Sequence, residues 1–91
     1  MFWHLGEINY IGLTLDSAHS VTISGAASCY VYDCADDSIV ASGYATVGGG
    51  GLDLFFLWQP TVIGVYAAKM VYQIGEEIFS ATQIIEVKET M

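Results

Sequence analysis

The chain contains no arginine and only two lysines, Lys69 and Lys88, against ten aspartates and glutamates. A phosphate-binding surface needs several cations to displace counterions, so this balance excludes a nucleic-acid-binding role. Cysteine is equally sparse. Cys29 and Cys34 lie five residues apart in one predicted strand, on opposite faces and about 16 Å apart at the extended-strand rise. That separation excludes a disulfide between them and predicts two buried or half-buried free thiols in a reducing compartment. No run reaches the roughly twenty apolar residues of a membrane helix. The opening Met1-Phe2-Trp3-His4-Leu5-Gly6 lacks the basic start, long apolar core and small-residue cleavage site of a secretory signal, so the expected location at synthesis is cytoplasmic.

Catalytic and metal-binding patterns are missing as well. His4 and His19 stand alone in the first quarter of the chain, without a nucleophile elbow, a Cys-x-x-Cys pair or a His-Glu-x-x-His helix. No enzyme, cofactor or zinc site is expected. Asp33, Asp36 and Asp37 form an acidic cluster that could offer oxygen ligands to a cation. Their spacing matches no calcium loop, and a solvated turn is the simpler reading. Glu76 and Glu77 are adjacent in a predicted hairpin turn and do not face each other across a cleft as glycosidase acids must. Gly48-Gly49-Gly50-Gly51 lacks the Lys-Ser/Thr and helix start of a phosphate loop and reads as a flexible connection.

What the sequence does contain is apolar alternation. Its 91 residues are 54% hydrophobic and 13% aromatic at a net charge of −8, which fits one globular domain, residues 1–91, whose acidic surface keeps it soluble. Strand-like stretches recur about every ten residues, with turn signals between them and no segment of helical period. They cover residues 7–15, 26–34, 39–44, 52–59, 64–73 and 78–87, with a short apolar pair at Val21 and Ile23. Both faces of 26–34 are apolar, so parity does not choose its core side. In 52–59, Leu52, Leu54, Phe56 and Trp58 read as core, which leaves Phe55 and Leu57 outside. In 64–73 the core set is Tyr66, Ala68, Met70 and Tyr72, which leaves Val65, Ala67 and Val71 outside. Along 78–87, Phe79, Ala81, Ile85 and Val87 face the core, and Gln83 interrupts that parity, a sign of a bulge or an edge position.

Residues 62–68 read Val-x-Gly-x-Tyr-x-Ala and resemble the Asp-x-Gly-x-Tyr-x-Cys pattern that opens a late core strand of immunoglobulin-like domains. Gly64 and Tyr66 are kept, and Tyr66 would make a corner hydrogen bond. Asp and Cys are replaced, so Ala68 would stand where those domains place a disulfide cysteine. The succession Tyr30-Val31-Tyr32-Asp33, acidic turn, Ile39-Val40-Ala41-Ser42-Gly43, Pro60, Gly64-Val65-Tyr66 and Tyr72-Gln73-Ile74-Gly75-Glu76-Glu77 is similar to small immunoglobulin-like proteins of bacteriophage and prophage structural genes. The resemblance implies an all-β, antiparallel immunoglobulin-like β-sandwich of about seven strands. It further implies a non-enzymatic structural role in a virion's neck, tail or capsid surface, or in its assembly.

The candidate interaction face is Phe55, Leu57, Val65, Ala67 and Val71, the apolar residues left over once one core is filled. Partners would be proteins, self-association through sheet edges or through this face included. Two further readings stand beside this one. In a carbohydrate- or adhesin-type module, Trp3, Tyr10, Tyr44 or Trp58 would stack on a ligand. In an acidic DNA mimic, the carboxylates would form a regular stripe.

Overall fold

The structure, a computed structural model, describes residues 2–14, 23, 26–48 and 53–89. His19, Leu15, Leu52 and most of the glycine run lie outside the described residues. The chain is all-β, with seven strands: β1 (Phe2–His4), β2 (Asn9–Thr14), β3 (Ala27–Asp33), β4 (Ile39–Gly48), β5 (Asp53–Trp58), β6 (Gly64–Ile74) and β7 (Glu77–Lys88). They form one mixed sheet in the order β1-β7-β6-β3-β4-β5-β2, curled into a half-barrel.

The expectation of a wholly antiparallel sheet is corrected at one position. β1 precedes the first strand expected from the sequence and runs parallel to β7, with Trp3 opposite Val87. Three residues are too few to show alternation, so β1 carries no periodic signal. The turn leading out of β1 is closed by the Glu7 N–H donating to the His4 carbonyl at 3.1 Å. Gly6 occupies its third position with φ 81°, a conformation that L side chains disfavour.

The curl originates in β4. Up to Ala45 this strand pairs with β3, and from Thr46 to Gly48 it pairs with β5. A register shift at Val31/Tyr32 adds a bulge, which increases local twist. The inner row of β4 is small, Ala41, Gly43 and Ala45. A Cβ on Gly43 would come within 3.3 Å of the Phe56 ring, so glycine here lets β5 fold close over the bend.

The curled sheet closes on a single core. Trp3, Ile11, Cys29, Val31, Leu54, Trp58, Tyr66, Ala68, Met70, Ile85 and Val87 are all buried in it. The inner sets expected for β5 and β6 are inward-facing: Leu54, Trp58, Tyr66, Ala68 and Met70 are buried, and Phe56 and Tyr72 partly so. On β3, where parity left the choice open, Ala27, Cys29 and Val31 turn inward and Tyr30 and Tyr32 outward.

β7 holds two surprises. Phe79, expected in the core, is 39% exposed, stacked on Tyr72 near the β6–β7 turn with ring centroids 5.9 Å apart. Gln83 marks no bulge, because the β6–β7 register runs unbroken from Gly64↔Val87 to Ile74↔Glu77. Its side chain instead points inward and donates from Nε2 to the Gly12 carbonyl of β2, joining the two ends of the curl.

The corner at β6 is built as a local lock. Gly64 has φ 155°, outside the usual range of other residues, and the Tyr66 hydroxyl donates to the Val62 carbonyl at 2.6 Å. Tyr66→Phe removes this bond while keeping the ring in place. The expected loss is about 1 kcal/mol of stability, the usual net worth of one such bond, measured as a lower urea midpoint with an unchanged slope.

Candidate interaction surface

The five residues nominated from the sequence all lie on the convex side of the half-barrel, but they fall on two separate panels. Phe55 and Leu57 belong to β5, Val65, Ala67 and Val71 to β6, and β3 and β4 run between them. Alternation predicts which face a side chain takes but not how far apart two strands lie, so the sequence listed them as one group.

On the first panel Leu57 stands opposite Tyr10, and Phe55 opposite Gly12 and Thr46. Tyr10 and Phe55 meet edge to face with centroids 6.1 Å apart. With Thr46 they line a shallow, mainly apolar depression. Leu57, 54% exposed, extends the apolar area along β5.

The second panel carries a row the sequence did not single out. Ala67 is flanked by Ile84 on β7 and by Tyr32 on β3, and Tyr32 pairs in turn with Ile39 on β4. Ile84 and Ile39 are exposed, whereas Ala67 and Val71 are only half-buried between their neighbours. Ile84 could have been found from its parity, opposite to the inward-facing Ala81 and Ile85. Beyond this row, Ser28, Tyr30, Ser42, Gly43 and Tyr44 line a second depression, above which Tyr44 is 81% exposed.

Charge is kept at the ends of the sheet. Asp33, Asp36 and Asp37 lie at the β3–β4 turn, and Glu76 and Glu77 at the β6–β7 turn at the opposite end. The carboxylates therefore form no single stripe. Lys88 approaches Glu86 at 3.8 Å, but both are half exposed, so the pair adds little stability.

The acidic turn uses its carboxylates internally. Asp33 Oδ1 accepts from the Ala35 N–H at 2.9 Å, and Asp36 Oδ1 accepts from the Ser38 N–H at 3.0 Å and the Ser38 hydroxyl at 2.7 Å. These Ser38 bonds hold the Asp36 carboxyl below its ordinary range. Asp37 takes φ 60°, a left-handed conformation that Asp tolerates better than most residues. Among the described residues, no group of three or more His, Cys, Asp or Glu side chains is placed to hold a metal ion. No helix of the described residues is long and apolar enough to cross a membrane.

Two of the four aromatics considered for ligand stacking are ruled out by burial. Trp3 and Trp58 pack against each other in the core at 5.5 Å, and Trp58 also meets Tyr66 edge-on at 5.1 Å. Tyr10 and Tyr44 remain exposed. The cysteines are both free, but they differ in environment. Burial pushes the Cys29 thiol up to about 11. Cys34, expected to be buried or half-buried, is exposed: it has the outward parity of Tyr30 and Tyr32, opposite to Cys29, and lies just past the end of β3, where its N–H still donates to the Val65 carbonyl at 3.0 Å.

Two measurements check this local chemistry. A thiol reagent on the native protein should label Cys34 alone, with Cys29 reacting only after unfolding; labelling of both at one rate would contradict a closed core at β3. Ser38→Ala should raise the Asp36 carboxyl toward its ordinary value in an NMR titration. A carboxyl lowered on folding adds stability above its unfolded value and loses it as pH falls through the folded one, so the variant should lose less stability between neutral and acid pH.

No family model matches this chain, and no curated protein or solved structure matches it.

Proposed function

We propose that the chain is a non-enzymatic interaction module with immunoglobulin-like connectivity, serving as a phage or prophage virion or assembly component. Strand adjacency supports the fold half of this reading. Immunoglobulin domains place their third, sixth and seventh strands side by side in one sheet and pair the second with the fifth in the other. Here β3, β6 and β7 are neighbours, β2 pairs with β5, and β4 stands beside β3 and then β5. The tyrosine bond to the backbone upstream of β6 has the corner geometry of that family. β1 departs from the pattern by pairing with β7 rather than β2.

The functional half is carried by the β5 panel, where Leu57, Phe55 and Tyr10 put exposed apolar area on a rigid sheet rather than on a loop. Aromatic anchors on a fixed backbone are what a protein interface needs at its centre. Asp53, on the same strand and facing the same way, gives the panel an acidic border, so the matching partner surface is apolar with a neutral or basic rim.

Mass spectrometry of purified particles tests this reading. The chain should be found at a fixed ratio to a major structural protein, or in an assembly intermediate, and its absence from both would sink the proposal. Leu57→Glu, at the more exposed position, should cut incorporation roughly tenfold or more, the scale of losing an interface anchor, while thermal unfolding stays nearly unchanged; adding Phe55→Glu should deepen the loss and also lower stability through the lost Tyr10 contact.

A carbohydrate-binding reading is favoured by one observation. Tyr44 stands exposed over a depression lined by the hydroxyl-bearing Ser28, Tyr30 and Ser42, a ring beside polar groups. A glycan array decides between the two: binding lost in Tyr44→Ala supports this second reading, and a blank array excludes it. An acidic DNA mimic finds least support, since the carboxylates are divided between opposite ends of the sheet.

A further inference from the structure

β7 is the longest strand, and along most of its length one edge has no hydrogen-bonded strand beside it among the described residues, although the Gln83 side chain reaches the Gly12 carbonyl of β2. β1 covers that edge only at Glu86, Val87 and Lys88. On this side the Leu5 N–H donates to the Lys88 carbonyl at 2.7 Å. In an antiparallel strand, alternate residues direct both N–H and C=O to the same edge. Carried along the unbroken β6–β7 register, this directs the main-chain groups of Ile78, Ser80, Thr82 and Ile84 to the open edge.

Proteins commonly guard such an edge with lysine, proline, a bulge or a very short strand. Residues 78–85 have none of these and no charge of either sign, in a chain of net charge −8. We propose that a second copy of this chain closes the edge, β7 against β7, antiparallel about a two-fold axis at Ala81. The inference rests on reading the chain as an interaction module and names one of its partners.

The self-complementary register argues for a second copy. With Ala81 opposite its counterpart, Ile78 faces Ile84 and Ser80 faces Thr82, each twice. All four residues direct their main-chain groups to that edge, so these are hydrogen-bonded pairs and every open N–H and C=O is satisfied. On the convex face, isoleucine meets isoleucine and hydroxyl meets hydroxyl. Moving the register by two residues in one direction sets Ile78 against Thr82. In the other direction it sets Ile78 against Glu86, whose edge β1 already holds. The open window runs from the β6–β7 turn to the start of β1, residues 77–85, and accepts the same window of its partner. A foreign charged strand would find no counter-charge along it.

Sedimentation of the full chain with paired substitutions at two exposed positions tests the proposal. The unmodified protein should be a dimer. Ile78→Lys with Ile84→Lys sets lysine against lysine twice and should raise the dissociation constant roughly tenfold to a hundredfold, the scale of replacing two apolar cross-strand pairs by like-charge pairs. Ile78→Lys with Ile84→Glu sets lysine against glutamate twice and should restore the dimer. As an independent check, Ala81→Cys in a Cys34→Ser background should oxidise to a covalent dimer, because non-hydrogen-bonded partners lie about 4.5 Å apart at Cα, within disulfide reach.

A protein that is monomeric at every concentration would overturn the proposal and mean that the chain covers its own edge. A dimer that survives the double-lysine change would place the contact elsewhere. A lysine–glutamate variant no tighter than the double-lysine one would refute the register. None of these outcomes bears on incorporation into particles, so this proposal and the module reading can fail separately.

Discussion

The rest of the structure depends on β4 changing its neighbour from β3 to β5 between Ala45 and Thr46. A sheet with one apolar face needs something to cover that face, and the described residues contain no helix to do so. The sheet therefore has to cover itself. It can bend only where bulk is missing, and β4 carries Ala41, Gly43 and Ala45 on its inner row, with the Phe56 ring already close to the Gly43 backbone. A bulky side chain at Gly43 would meet the Phe56 ring and push β5 away.

Once bent, the sheet is held by unequal ties. At the corner end, Trp3 packs on Trp58, Trp58 on Tyr66, and the Gly6 N–H donates to the Pro60 carbonyl at 3.1 Å. The Gln59 side chain adds a further bond to the Gly6 carbonyl at 3.1 Å. Gln83 to Gly12 is the tie nearer the middle. Near the β6–β7 turn, Phe79 lies partly exposed and stacked on Tyr72 instead of in the core. Gln83, a polar residue at a core parity, uses its side-chain amide to satisfy the Gly12 carbonyl of β2.

Alternation made the β-class, most strand positions and the inner faces of β5 and β6 legible in the sequence, because a period of two fixes the face of each side chain. Gly64 and Tyr66 were legible as a local feature because both ends of the corner bond lie within four residues. What could not be read were relations between distant strands. The β1–β7 parallel pair joins opposite ends of the chain, and the separation of Phe55 from Val65 depends on two strands inserted between theirs. Cys34 was misplaced for a smaller reason: both faces of its strand are apolar, and the face that turns outward is the one Cys34 shares with Tyr30 and Tyr32.

Charge placement decides where a partner can approach. The carboxylates cluster in turns, where they bond backbone amides or face water, and the strands between keep Lys69 as their most central ion. The convex face and the β7 edge between these turns carry few charges among the described residues. Burying either surface desolvates few ions, which removes the largest cost of forming a protein contact. The acidic ends repel one another when copies approach end to end but remain apart when they meet side by side. For the self-association proposed above, this distribution favours lateral contacts, through strand edges and sheet faces, over end-to-end stacking.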